Sequence, residues 1–79
     1  MQLSVLLFAS YAEAIGSPTI AVTLPADATA GDVLAAVRAL AAGAPLPPAL
    51  VAVNQAYAAA TERVREGDEV AIIPPVAGG

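Results

Sequence analysis

Cysteine, histidine and lysine are all missing from this 79-residue sequence. Without cysteine there is no disulfide and no thiolate nucleophile, and without histidine no imidazole base. Without lysine there is no amine for a Schiff base, and the usual soft metal ligands are gone as well. Positive charge is equally scarce: Arg38, Arg63 and Arg65 face seven carboxylates, for a net charge of −4. That balance argues against nucleic acid or a membrane of anionic lipid as a partner, and makes a basic protein surface the natural counterpart. No apolar stretch approaches the length of a transmembrane span. If the chain takes part in a reaction, the leading candidate group is its terminal carboxylate.

What is present is mostly apolar. Hydrophobic residues make up 58% of the chain, much of it alanine, which suits helices and tight packing and does not by itself signal a membrane. The length predicts one domain over residues 1–79, with a tail from residue 74 and a small core that no disulfide or metal staples. The opening Met1-Gln2-Leu3-Ser4-Val5-Leu6-Leu7-Phe8-Ala9 resembles a signal peptide but lacks a positive start, and its apolar run is short. It reads instead as a strand with Leu3, Val5 and Leu7 on one face, in a cytoplasmic protein.

Further along, Ser10 is the expected N-cap of a short helical turn that Gly16 stops. Thr19-Ile20-Ala21-Val22-Thr23-Leu24 alternates cleanly, with Ile20, Val22 and Leu24 inward. Thr29 and Asp32 have capping-box spacing, so a helix is expected there with Val33, Leu34, Val37, Leu40 and Ala41 on its buried face. Gly43 and the prolines at 45, 47 and 48 end it and form a stiff connector. A short strand Leu50–Val53, a turn at Asn54 and a return at Tyr57 come next. The charged stretch Thr61–Glu66 has Val64 as its anchor, and the last strand Val70–Ile73, apolar throughout, is expected to be central and buried on both faces. These elements describe an α+β domain in which one main helix packs across a mixed sheet.

Beyond that strand the chain ends Pro74-Pro75-Val76-Ala77-Gly78-Gly79. The proline pair stops strand pairing and projects the remaining residues away from the sheet. Six extended residues reach roughly 20 Å, and the final two carry no Cβ, so this end can thread a channel too narrow for bulkier residues.

Val53-Asn54-Gln55-Ala56-Tyr57, Gly67-Asp68-Glu69-Val70 and the ending Ile73-Pro74-Pro75-Val76-Ala77-Gly78-Gly79, together with Leu7-Phe8-Ala9 and Thr29-Ala30-Gly31-Asp32-Val33, resemble the MoaD family, the small sulfur-carrier subunit of molybdopterin synthase. The resemblance spans the chain. It implies a β-grasp, ubiquitin-like fold with the first and last strands parallel neighbours and a flexible Gly-Gly tail. It implies further that a ubiquitin-activating-like adenylyltransferase uses ATP to adenylate the Gly79 carboxylate, which sulfur transfer turns into a thiocarboxylate. The tail Pro74, Pro75, Val76, Ala77 and Gly78 would enter the synthase large subunit. There the sulfur attacks cyclic pyranopterin monophosphate in molybdenum cofactor biosynthesis.

On this reading the chain is no enzyme on its own and binds no cofactor or metal; acids, bases and ATP-binding groups come from partners. Phe8 and Ile73 are candidate partner-interface residues, with ordinary core packing as the competing role. Two alternatives stand beside it: a thiamine-pathway sulfur carrier, and a ubiquitin-like modifier or plain β-grasp interaction module. The missing lysine leaves a modifier no site in its own chain on which to build polymers.

Overall fold

The computed structural model describes residues 1–74. Five strands and two helices run in the order β1 (Gln2–Leu7), α1 (Ala9–Ile15), β2 (Thr19–Thr23), α2 (Ala30–Leu40), β3 (Leu50–Val53), β4 (Ala56–Ala58) and β5 (Glu69–Ile73). They form one mixed sheet ordered β2-β1-β5-β3-β4. The expected α+β, β-grasp arrangement is observed: β5 is central, parallel to β1 and antiparallel to β3. Parallel neighbours need a long crossover, and here the crossover is almost the whole chain between Leu7 and Glu69.

One face of the sheet carries the core. Leu3, Val5 and Leu7 from β1, Val22 from β2, Val51 and Val53 from β3, and Val70 and Ile72 from β5 pack with Val33 and Val37 of α2. Period-two alternation selects those strand positions. Tyr11, fully buried on α1, completes the core and donates its hydroxyl to the Pro47 carbonyl, pinning the proline-rich connector. The sequence reading passed over Tyr11, because one aromatic on a two-turn helix makes no periodic pattern.

α2 begins as expected. The Thr29 hydroxyl accepts from the Asp32 amide at 3.3 Å, and the Asp32 carboxylate accepts from the Thr29 amide at 2.9 Å. The next two amides, of Ala30 and Gly31, donate to the carbonyls of Glu62 and Ala60, so the charged stretch is stitched to the helix start while Val64 is buried. Gly31 permits this approach, since a Cβ there would lie 3.1 Å from the Ala60 carbonyl oxygen.

Two expectations are corrected. Ser10 is not the cap of α1: Phe8 holds that position with no side-chain cap, and its carbonyl accepts from Tyr11 and Ala12. The chain turns into the helix at Ala9, whose φ is +50°, so helical geometry is already established at Ser10. Leu40 is 60% exposed. It lies in the last turn, roughly 60° around the helix from Val37 at 3.6 residues per turn, and the next buried residue is Ala41 instead. β5 is buried on both faces through its middle, as expected, with Val70 and Ile72 on the core side and Ala71 on the other, while Ile73 at its end is half-buried.

Candidate functional site

The register of the strands builds a groove on the sheet face opposite the core. Alternation turns Leu6 of β1, Glu69, Ala71 and Ile73 of β5, and Ala52 of β3 to that side. Ala71 is paired with Leu6 across one ladder and with Ala52 across the other, and Ala52 is paired in turn with Tyr57 of β4. One row across the sheet thus reads Leu6, Ala71, Ala52, Tyr57, large side chains on the outside and two methyl groups between them. The result is a groove of about 310 Å³ with an alanine floor, walled by Leu6 and Phe8 on one side and by Tyr57 and Gln55 on the other. Glu69 stands at one end and Ile73 at the other.

Phe8 and Ile73, singled out as interface candidates, both line this groove. Phe8 is 47% exposed and Tyr57 68%, far from the burial such rings reach in a core, so core packing does not explain them. Leu50, cross-strand partner of Ile73, is exposed beside them. The sequence reading missed Ala52, Ala71 and Tyr57 as groove residues. The available signal was the alternation in β5, where Glu69, Ala71 and Ile73 share a face, but without the strand order the floor and walls had no partners. Of the tail, Pro74 is buried, whereas Pro75, Val76, Ala77, Gly78 and Gly79 lie outside the described residues.

A polar clasp fixes the Glu69 end. Asn54 and Gln55 turn β3 into β4 with φ of 51° and 71°, the left-handed pair of a type I′ hairpin. The Asn54 amide side chain donates to Asp68 at 3.0 Å and its carbonyl accepts from the Glu69 amide at 3.0 Å, while the Arg65 amide donates to Asp68 at 2.8 Å. The Asn54 side chain, then the Arg65 amide, hold the Asp68 carboxyl below the ordinary carboxylate range, against the opposing effect of burial. A lowered native pKa means that the unfolded chain takes up the proton first as pH falls. The stability this clasp contributes is therefore complete above about pH 4, the unfolded value, and is lost as pH drops through the lower native one. Urea midpoints followed from pH 6 to pH 2 are expected to show Asp68→Asn less stable than the parent at pH 6, with the gap closing below pH 4.

Among the described residues no group of acidic side chains could hold a metal ion, and no helix is long and apolar enough to cross a membrane. The arrangement as a whole is an apolar groove alongside β5, the last strand of the described residues. Residues 5–79 match the ThiS family.

The chain belongs to the ThiS family. Within it, the sequence is 36% identical to the molybdopterin synthase sulfur carrier subunit of Dictyostelium discoideum, over 99% of this chain and 96% of that protein. It is 39% identical to the subunit of the same name in Drosophila yakuba, over 95% of this chain and 88% of that protein. Among solved structures it resembles small archaeal modifier protein 1 of H. volcanii, with 34% identity, a TM-score of 0.83 and coverage of 95% of this chain and 98% of that one. The MoaD resemblance read from the motifs is thereby borne out, and so is the ubiquitin-like fold.

Proposed function

We propose that this ThiS-family chain is the sulfur carrier subunit of a molybdopterin synthase. The observation that carries the reading is the continuity of β5: the central strand passes along the apolar groove and leads through Pro74 into the sequence Pro75-Val76-Ala77-Gly78-Gly79. Its relatives, named sulfur carrier subunits over nearly their full length, support it. An adenylyltransferase partner seats on the groove and presents ATP to the Gly79 carboxylate. Carboxylate oxygen attacks the α-phosphate, pyrophosphate leaves, and a sulfide-level sulfur donor then displaces AMP to give the thiocarboxylate. The synthase large subunit next takes the same face, and the thiocarboxylate sulfur attacks cyclic pyranopterin monophosphate, joining carrier and pterin through a thioester. Water then cleaves the acyl carbon–sulfur bond, which leaves the sulfur on the pterin and restores the Gly79 carboxylate.

The chain's own contribution is placement. Five residues beyond Pro74 span at most about 17 Å, so the partner's reaction centre lies within that distance of the strand end. Gly78 and Gly79 leave the acyl carbon open to successive reactants. ATP belongs to the activating partner, the chain itself needs no cofactor, and the cytoplasm is the compartment assigned to it.

The test is the intact mass of the full chain after incubation with ATP, sulfide and a molybdenum-cofactor adenylyltransferase. The expected result is exchange of one oxygen for sulfur at Gly79, discharged by the large subunit only when the pterin precursor is added. An unchanged mass, with the adenylyltransferase active on another carrier, overturns the reading. Likeness to a small archaeal modifier protein favours one second reading, attachment of Gly79 to lysines of other proteins. The carrier would then be found on target lysines in single copies, because the chain contains no lysine to extend.

A further inference from the structure

β2 is an open edge of the sheet, and from its sequence and backbone direction we infer that it pairs antiparallel with β2 of a second copy of this chain, doubling the five-stranded sheet. This pairing is independent of the carrier reading. Leu7 donates to the Pro18 carbonyl and Leu24 to the Met1 carbonyl, which extends at both ends the register that pairs Leu3 with Val22 and Val5 with Ile20. Bonded pairs alternate with unbonded ones in an antiparallel ladder. The even-numbered residues of β2 therefore turn their amides and carbonyls to β1, and Thr19, Ala21 and Thr23 turn theirs outward. Thr19 agrees with this direction: the Ser17 hydroxyl accepts from its amide at 3.3 Å and donates to its carbonyl at 2.7 Å.

The strand's own sequence specifies the partner. Thr19-Ile20-Ala21-Val22-Thr23 reads nearly the same in both directions, so a two-fold axis at Ala21 sets Ala21 opposite Ala21, Thr19 opposite Thr23 and Ile20 opposite Val22. Threonine and β-branched pairs of this kind stabilise antiparallel neighbours. The axis also falls on an outward-facing residue, as it must for the two central amides and carbonyls to bond each other. At Thr19 the pairing trades the Ser17 contacts for bonds to Thr23 of the second copy. Nothing blunts this edge: β2 has no charge, no proline and no bulge in its register, the devices that keep edges from pairing. The opposite edge, β4, is only three residues long, and its Tyr57 walls the groove.

β2 contributes no residue to the groove, so two open grooves share one face of the joined sheet. The two β5 strands lie five strand spacings apart, roughly 24 Å, and run in opposite directions. The net charge of −4 on each copy opposes pairing, so association is expected to strengthen as salt screens it.

The experiment is sedimentation equilibrium of the full chain from micromolar to millimolar concentration, with amide hydrogen exchange followed by NMR on the same samples. The parent is expected to approach twice its monomer mass, more readily at high salt, while exchange at the Ala21 and Thr23 amides slows with concentration. Ala21→Pro removes the central donor and spares the β1–β2 ladder, because that N–H faces outward; it is expected to weaken association roughly tenfold. Ala21→Glu sets two like charges directly opposite each other and is expected to weaken it at least as much. Ala35→Glu adds the same charge at an exposed position on α2, away from the edge, and is expected to cost far less. A parent that stays monomeric at millimolar concentration overturns the inference. So does a dimer that both Ala21 variants leave intact, or one that Ala35→Glu weakens as much as Ala21→Glu. Ala21→Glu keeps the test decisive should Ala21→Pro disturb the fold.

Discussion

Deleting Gly79 is expected to abolish thiocarboxylate formation, below detection by intact mass, while leaving the urea unfolding midpoint unchanged. The two effects have independent causes. In the proposed chemistry the reacting atom is the carboxyl carbon of the last residue, and removing one residue both withdraws that carbon by about 3.5 Å and places Gly78 at the tip. A misplacement of even 1 Å from a reactive geometry can cost on the order of a hundredfold in rate, and a shift several times larger leaves nothing measurable. Stability is expected to be indifferent because, among the described residues, the packed core is assembled from strands and helices that finish at Ile73. Gly79→Trp is expected to behave the same way, since an indole would have to pass wherever the small tip passes. A deletion variant that unfolds at markedly lower urea would show instead that the tail is a structural element.

The largest loss of stability is expected from Ile72→Ala. Ile72 is completely buried at the centre of β5, between its partners Leu7 on β1 and Val51 on β3. Truncating a buried isoleucine to alanine costs about 2–5 kcal/mol, the transfer energy of the lost methyls plus the cavity they leave. A domain of this size has only about 4–12 kcal/mol in total, at the usual 0.05–0.15 kcal/mol per residue. The variant is therefore expected to be partly unfolded at physiological temperature, with a lower urea midpoint and a similar denaturant slope. Ala71, its immediate neighbour, has its Cβ on the other face of the same strand, so a substitution there is expected to act on association and spare the core. The contrast between adjacent positions is a direct consequence of the two-residue period.

That contrast also separates what could be read early from what could not. The alternation in β1 and β2, the Thr29–Asp32 capping box, the stop at Gly16 and the burial of Val64 were all legible, because each depends on residues within a few positions of one another. Leu40 was misplaced, since helical spacing reports which residues share a face but not where the opposing sheet ends. Ser10 has the side chain of a cap, but the backbone turns at Ala9 and leaves Phe8 outside the helix. Phe8 and Ile73 were legible as interface candidates only as a pair of names. Their distance in sequence hides that β1 and β5 lie side by side.

By itself, then, the sequence determined the inventory and its limits: no thiol, imidazole or lysine, an acidic balance, and local element boundaries. Only the tertiary structure decided that Leu6, Phe8, Ala52, Tyr57, Glu69, Ala71 and Ile73 meet in one groove. The physical reason is register. A groove across four strands exists only once long-range ladders fix which residue stands opposite which, and a slip of one position would send Ala71 into the core and Ile72 out to solvent.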